Sequence, residues 1–133
     1  MSEFAAGLPR RAGADPGVLQ QALSDLRVTP PEDYLQFMVA SDGAEGAVGE
    51  GYVQLWSAAE LVELNEGYGV KEFAPGLVLF GSDGGDEAFA FDTSTSPARI
   101  VNVPFIGMAR EEATVLGSTF AGFLSTLAND FVA

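Results

Sequence analysis

Four carboxylates stand near one another in the chain, at Asp83, Asp86, Glu87 and Asp92, and they are the first candidates for chemistry. The sequence contains no His and no Cys, so the usual general base, zinc ligand and thiolate nucleophile are all missing. Hydrolysis by paired carboxylates needs two carboxyls about 5–10 Å apart, one with its pKa raised by burial. These acids lie in or beside the Gly-rich stretch Gly81-Ser82-Asp83-Gly84-Gly85, where exposure to water leaves carboxyl pKa values near normal. The same stretch lacks the Lys-Ser/Thr that completes a P-loop, and its acids oppose a polyphosphate. Asp83, Asp86 and Glu87 offer hard oxygens to calcium, but their spacing is not that of an EF-hand loop; a hairpin turn accounts for them better. Lys71 sits among acids that raise its pKa, the wrong direction for a Schiff-base amine. The sequence therefore predicts no catalytic residue, no metal and no cofactor.

Binding is a different matter. Tyr52, Gln54 and Trp56 alternate along a strand and fall on one side of it. If that side faces solvent, the two aromatics anchor a partner, with Glu45, Glu50, Asp83, Asp86 and Glu87 around them. If it faces inward, they are core. The sequence leaves both open.

Charge narrows the class of partner. The chain carries 19 acids and 6 bases, a net charge of −13. Between Glu32 and Asp92 there are 13 acids against one base, Lys71, whereas the other residues nearly balance at 6 acids and 5 bases. Such a surface repels nucleic-acid phosphates and anionic lipid heads and attracts basic partners; a plain acidic surface kept for solubility is the alternative. No apolar run approaches the length of a membrane span. The amino terminus lacks the charge order and apolar stretch of a signal peptide, and Ala12-Gly-Ala-Asp-Pro follows Arg10-Arg11 where a twin-arginine signal needs an apolar segment. A soluble cytoplasmic protein is expected.

The elements that must hold these residues can be read from local signals. Residues 1–14 show no periodicity and are expected to form a loose arm, with one domain over 15–133. Asp15 as N-cap and Pro16 at the first helical position open a helix carrying Val18, Leu19, Ala22, Leu23 and Leu26 on one stripe. Thr29-Pro-Pro-Glu32 and Ser57-Ala-Ala-Glu60 both have the capping-box pattern. The first opens a helix with Tyr34, Leu35, Met38 and Val39 on one face, and the second a short helix ending near Gly67. Strands are expected at Tyr52–Trp56, Leu77–Phe80, Ala88–Phe91 and Arg99–Phe105, the second and third joined as a hairpin and the last ended, or pushed to an edge, by Pro104. The glycines at 46, 49 and 51 make the approach to Tyr52 irregular. Ser118 or Thr119 caps a last helix whose Phe120, Phe123, Leu124, Leu127 and Phe131 share a stripe. Helices at both ends of consecutive strands predict a single α+β domain with a largely antiparallel sheet.

In order and spacing these segments resemble the SUKH superfamily, the Smi/Knr-type domain of fungal cell-wall assembly regulators and bacterial immunity proteins. The likeness is carried by Pro30-Pro31-Glu32-Asp33-Tyr34-Leu35, Ser41-Asp42-Gly43, Tyr52 to Trp56, Leu61 to Asn65 with Tyr68, Pro75-Gly76, Gly81 to Asp86 and Phe120-Ala-Gly-Phe-Leu124. Asp42 stands where the family usually has Asn, and Pro30 where Leu often precedes the proline; both keep the backbone role of turn entry and helix start. The resemblance implies a non-enzymatic protein-binding module, with an immunity protein that blocks a basic, nuclease-type toxin as the leading case. A regulatory scaffold for a cellular partner is the alternative.

Overall fold

Ten phenylalanines in 133 residues demand a large apolar interior, and six of them, Phe37, Phe80, Phe89, Phe91, Phe120 and Phe123, are buried together with Tyr34. A computed structural model describes residues 3–130. Its centre is an antiparallel sheet in which every strand pairs with its neighbour in sequence: β1 (Ala44–Val48), β2 (Gly51–Leu55), β3 (Leu77–Ser82), β4 (Glu87–Asp92), β5 (Arg99–Pro104) and β6 (Thr114–Gly117). The helices are α1 (Glu3–Ala6), α2 (Pro16–Asp25), α3 (Glu32–Ala40), α4 (Leu61–Gly67), α5 (Val70–Phe73) and α6 (Phe120–Asp130). This is a single α+β domain, as the order of helical and strand signals predicts.

Both faces of the sheet are covered, which explains why β3 and β4 read as nearly continuous apolar runs. Val53, Leu55, Val78, Phe80, Phe89, Phe91 and Ile100 meet residues of α2, α3 and α6 in the larger core. There Phe80 and Phe91 stack with ring centroids 4.3 Å apart, and Tyr34 meets both edge-on. Leu77, Leu79, Ala88, Ala90, Val101 and Val103 form a second core with Val70, Ala74 and Met108. Small Ala88 and Ala90 let the segment between β5 and β6 lie close on this face.

Local signals worked where one residue decides. The Asp15 carboxylate accepts from the N–H groups of Gly17 and Val18, with Pro16 opening α2. The Glu60 carboxylate accepts from the Ser57 N–H at 3.0 Å, forming the expected box ahead of α4. The Thr29 box does not form: α3 begins at Glu32 with Pro31 as its N-cap, and no side chain caps it. Pro31 pushes Pro30 out of the helical region, so the helix starts two residues late. Asp33, in the first turn, instead accepts from the N–H groups of Phe120 and Ala121 at 2.9 Å each, binding α3 to the start of α6. Thr119 accepts from the Gly122 N–H, as a cap should. Phe131 lies outside the described residues.

Three segments depart from expectation. Residues 3–14 are not loose. Ala5, Leu8 and Ala14 are buried, the Ala12 carbonyl accepts from Asp42 N–H, and the Ala14 N–H donates to the Met38 carbonyl. The glycine-rich approach to Tyr52 is a strand, β1, which forms a hairpin with β2. At Gly46 a Cβ would lie 3.3 Å from Pro9, so the bare backbone lets the arm pack closely on this strand. Finally, β6 follows β5 as an extra edge strand. Pro104 ends β5 beyond the last β5–β6 pair, Asn102 with Thr114, where its missing N–H costs no ladder bond.

Candidate functional site

Where β2 leaves the edge of β3, the buried side chain of Asn65 takes its place. Its amide nitrogen donates to the Leu79 carbonyl at 2.9 Å and its oxygen accepts from the Leu79 N–H at 2.8 Å. Asn65 thereby mimics a strand and fixes α4 against the sheet. Three residues later Tyr68 caps that helix and lies parallel to Trp56, with ring centroids 6.2 Å apart and planes 12° apart. Tyr68 also meets Phe105, with ring centroids 4.8 Å apart. Phe105 is held in turn by its N–H, which donates to the Asp86 carbonyl at 2.9 Å.

These contacts wall a groove of about 650 Å³. Trp56, Tyr68, Phe105 and Ile106 line its apolar side, and Gln54, Ser82 and the turn Gly84-Gly85-Asp86 its polar side. Ile106 is 90% exposed, an unusual position for a large aliphatic side chain with nothing to cover it. Among the described residues no Lys or Arg lines the groove.

The polar side is ordered from within. Glu45 accepts from the Tyr52 hydroxyl at 2.5 Å and from the Gln54 amide at 3.2 Å, and Ser82 donates to Gln54 at 3.1 Å. The Tyr52 and Gln54 bonds hold the Glu45 carboxyl below the usual carboxylate range, and the bond to Glu45 in turn raises Tyr52. Gly84, at φ +85°, brings the turn onto the Tyr52 ring, where a Cβ would lie 3.2 Å from it. The Asp83 carboxylate is committed to its own turn, accepting from the N–H groups of Gly85 and Glu87. Among the described residues no group of three or more acidic side chains is arranged to hold a metal ion.

The seven residues singled out in the sequence are thus divided. Glu45, Tyr52, Trp56 and Asp86 belong to this face. Tyr52 is exposed and Trp56 half-buried, touching both cores, so the question of core or surface has a separate answer for each. Asp83 supports the turn without lining the groove. Glu50 lies at the tip of the β1–β2 hairpin, where its N–H is bonded to the Ala128 carbonyl, and it does not line the groove. Glu87 shares the alternation of Phe89 and Phe91, so it belongs to the opposite face of the sheet, where it accepts from Asn102. Burial, and then repulsion from Asp83, push its carboxyl above the ordinary value. The site also uses Gln54, Ser82, Tyr68, Phe105 and Ile106, which were not among those seven.

At the far end of β4, buried Asp92 accepts from Arg110 at 2.7 Å, from Arg99 at 3.0 Å and from the Ser94 N–H at 3.0 Å. Burial alone would raise its pKa, but these bonds outweigh burial and hold it well below the usual carboxylate range. Arg110 belongs to the β5–β6 segment, which begins with Phe105 and Ile106 at the groove and buries Met108 in the second core. Asp92 therefore anchors the far end of the segment that supplies one groove wall.

The sequence matches the SMI1 / KNR4 family (SUKH-1) over residues 13–126. The chain belongs to the SUKH-1 family. No curated protein matches it. In this SUKH-1 domain the matched region contains every groove residue, together with Asn65 and Asp92, which position them. Among the described residues no helix is long and apolar enough to cross a membrane.

Proposed function

We propose that this SUKH-1 domain is a non-enzymatic binding module whose groove face docks on a basic protein, and that this partner is a toxin domain of the nuclease type. The observation that carries the reading is the groove itself. Exposed aromatic and aliphatic side chains stand beside carboxylates, with no base among them, in a chain of net charge −13. Aromatics of this kind anchor interfaces, and a surrounding field of one sign selects a partner of the other. The mechanism is occlusion: the acidic face covers the cationic surface with which a nuclease holds phosphates. Opposite charge speeds encounter at low salt, and the desolvated rings set the dissociation rate. A domain with this task works in the cytoplasm, where a nuclease would meet its target.

The test is to co-express the chain with each toxin-like gene encoded beside its own, then measure binding and cell survival. Binding with protection is the expected result. Failure to bind any neighbour-encoded toxin overturns the immunity role and leaves a regulatory scaffold for a cellular protein as the reading to pursue.

A further inference from the structure

The face described above has one carboxylate that the protein itself does not use. On it, Glu45 is bonded to Tyr52 and Gln54 and Asp83 to its own turn, and away from it Glu87 is bonded to Asn102 and Asp92 to two arginines. Among the described residues the Asp86 carboxylate makes no hydrogen bond and no ion pair, although its backbone carbonyl is bonded to Phe105 and it lines the groove beside the rings. A free acceptor next to aromatic faces is the chemistry that receives a flat cation.

We infer that the groove between Trp56, Tyr68 and Asp86 receives an arginine side chain projecting from the partner. The inference rests on the docking face proposed above and specifies what enters it. A guanidinium has a planar face to lie on the rings and a fork of N–H donors for a carboxylate, whereas an ammonium is a more strongly hydrated point charge. Gln54 strengthens the choice, because its amide is fixed with its nitrogen toward Glu45 and its oxygen toward Ser82. That oxygen keeps a lone pair for a second donor. An aliphatic side chain would leave Asp86 and Gln54 desolvated without partners. A phosphate or carboxylate would meet like charge. Arg99 and Arg110 do not compete, because both are held at Asp92, about 17 Å from the groove end of β4 by the rise of five strand residues. A volume of about 650 Å³ holds the side chain together with part of the loop that carries it.

Trp56 is the chain's single tryptophan and lines the groove, so its fluorescence reports on what enters it. The probes are capped Gly-Arg-Gly, Gly-Lys-Gly and Gly-Leu-Gly peptides, titrated into the full chain at low salt. The expected result is a saturable change in Trp56 emission at about millimolar Gly-Arg-Gly, at least about fivefold weaker with lysine and absent with leucine. D86N should weaken the arginine peptide about tenfold without shifting the melting temperature, since Asp86 is exposed. Lysine or leucine binding as well as arginine, no saturation with arginine, or D86N binding like the wild type each overturns the inference. A second measurement separates it from the reading beneath it. If D86N and Tyr68→Ala abolish binding of a neighbour-encoded toxin while every Arg→Lys change on that toxin is silent, the docking face stands and the arginine falls. If the toxin binds both variants as tightly as the wild type, the docking face itself falls.

Discussion

Replacing Asn65 with leucine tests how the groove is built. Leucine has the same number and branching of side-chain heavy atoms, but it leaves the N–H and C=O of fully buried Leu79 without their partners. Each unsatisfied group costs about 1–3 kcal/mol, so about 4 kcal/mol for the two at mid-range, and the extra apolar burial returns about 1.5 kcal/mol, for a net loss of about 2.5 kcal/mol. An unfolding entropy of about 2.1 cal/mol/K per residue gives about 0.28 kcal/mol/K for this chain, so the loss lowers Tm by about 9 °C. Far-UV circular dichroism on heating measures the shift. Trp56 emission, read below the transition, should move to the red as α4 loosens and Tyr68 leaves the indole. A drop smaller than about 3 °C would refute the reasoning, because the two backbone groups would then have found other partners.

Asp92→Ala should cost about 2–3 kcal/mol at neutral pH, the low end for breaking a buried ion pair, because Arg99 and Arg110 remain 43% and 35% exposed and are screened. Since the folded pKa of Asp92 is depressed, its stabilisation is present above the unfolded value near 3.9 and is lost as pH falls below about 4. An acid titration of Tm should show that loss in the wild type and a correspondingly shallower slope in the variant. Asp33→Ala removes two bonds to the N-terminus of α6 and should lower stability by about 1–3 kcal/mol in urea denaturation; an unchanged midpoint would mean Thr119 caps that helix unaided. Glu87→Gln keeps an acceptor for Asn102 and removes repulsion from Asp83 and Asp86. Its Tm at pH 7 should match or slightly exceed that of the wild type, with the advantage shrinking as pH falls and Glu87 itself protonates; a clear drop would contradict the cause given for its raised pKa.

What the sequence revealed was what adjacent residues decide. Asp15 before Pro16 and Ser57 before Glu60 cap helices within a few residues of themselves, and the turn at Asp83 is closed by its own carboxylate. The β1 strand was hidden because its glycines have the composition of a loop. Gly46 admits Pro9 and Leu8, and Gly49 and Gly51 admit Ala128 and Leu127 of α6, all far away in sequence. The arm of residues 3–14 was misjudged for the same reason, since its order comes from bonds to residues 38–42. At the site, Glu45, Tyr52, Trp56 and Asp86 were recognisable as acids and aromatics near a strand. Tyr68 and Phe105 were not, because Asn65 and the Asp86 carbonyl bring them there across the fold. The misplacement of Glu87 was avoidable: the alternation with Phe89 and Phe91 puts it on the opposite face.

The sequential order of the strands has a consequence for how such a domain changes partners. The groove draws on the β3–β4 turn, the β5–β6 segment and the end of α4, and each joins elements that are already neighbours. Lengthening any one of them leaves every strand pairing in place and costs only loop-closure entropy, about 0.6 kcal/mol for each doubling. Recognition can therefore drift through insertions at one end of the sheet while the aromatic core at its centre stays under separate constraint. The architecture gives a lineage room to exchange specificities without passing through an unfolded ancestor.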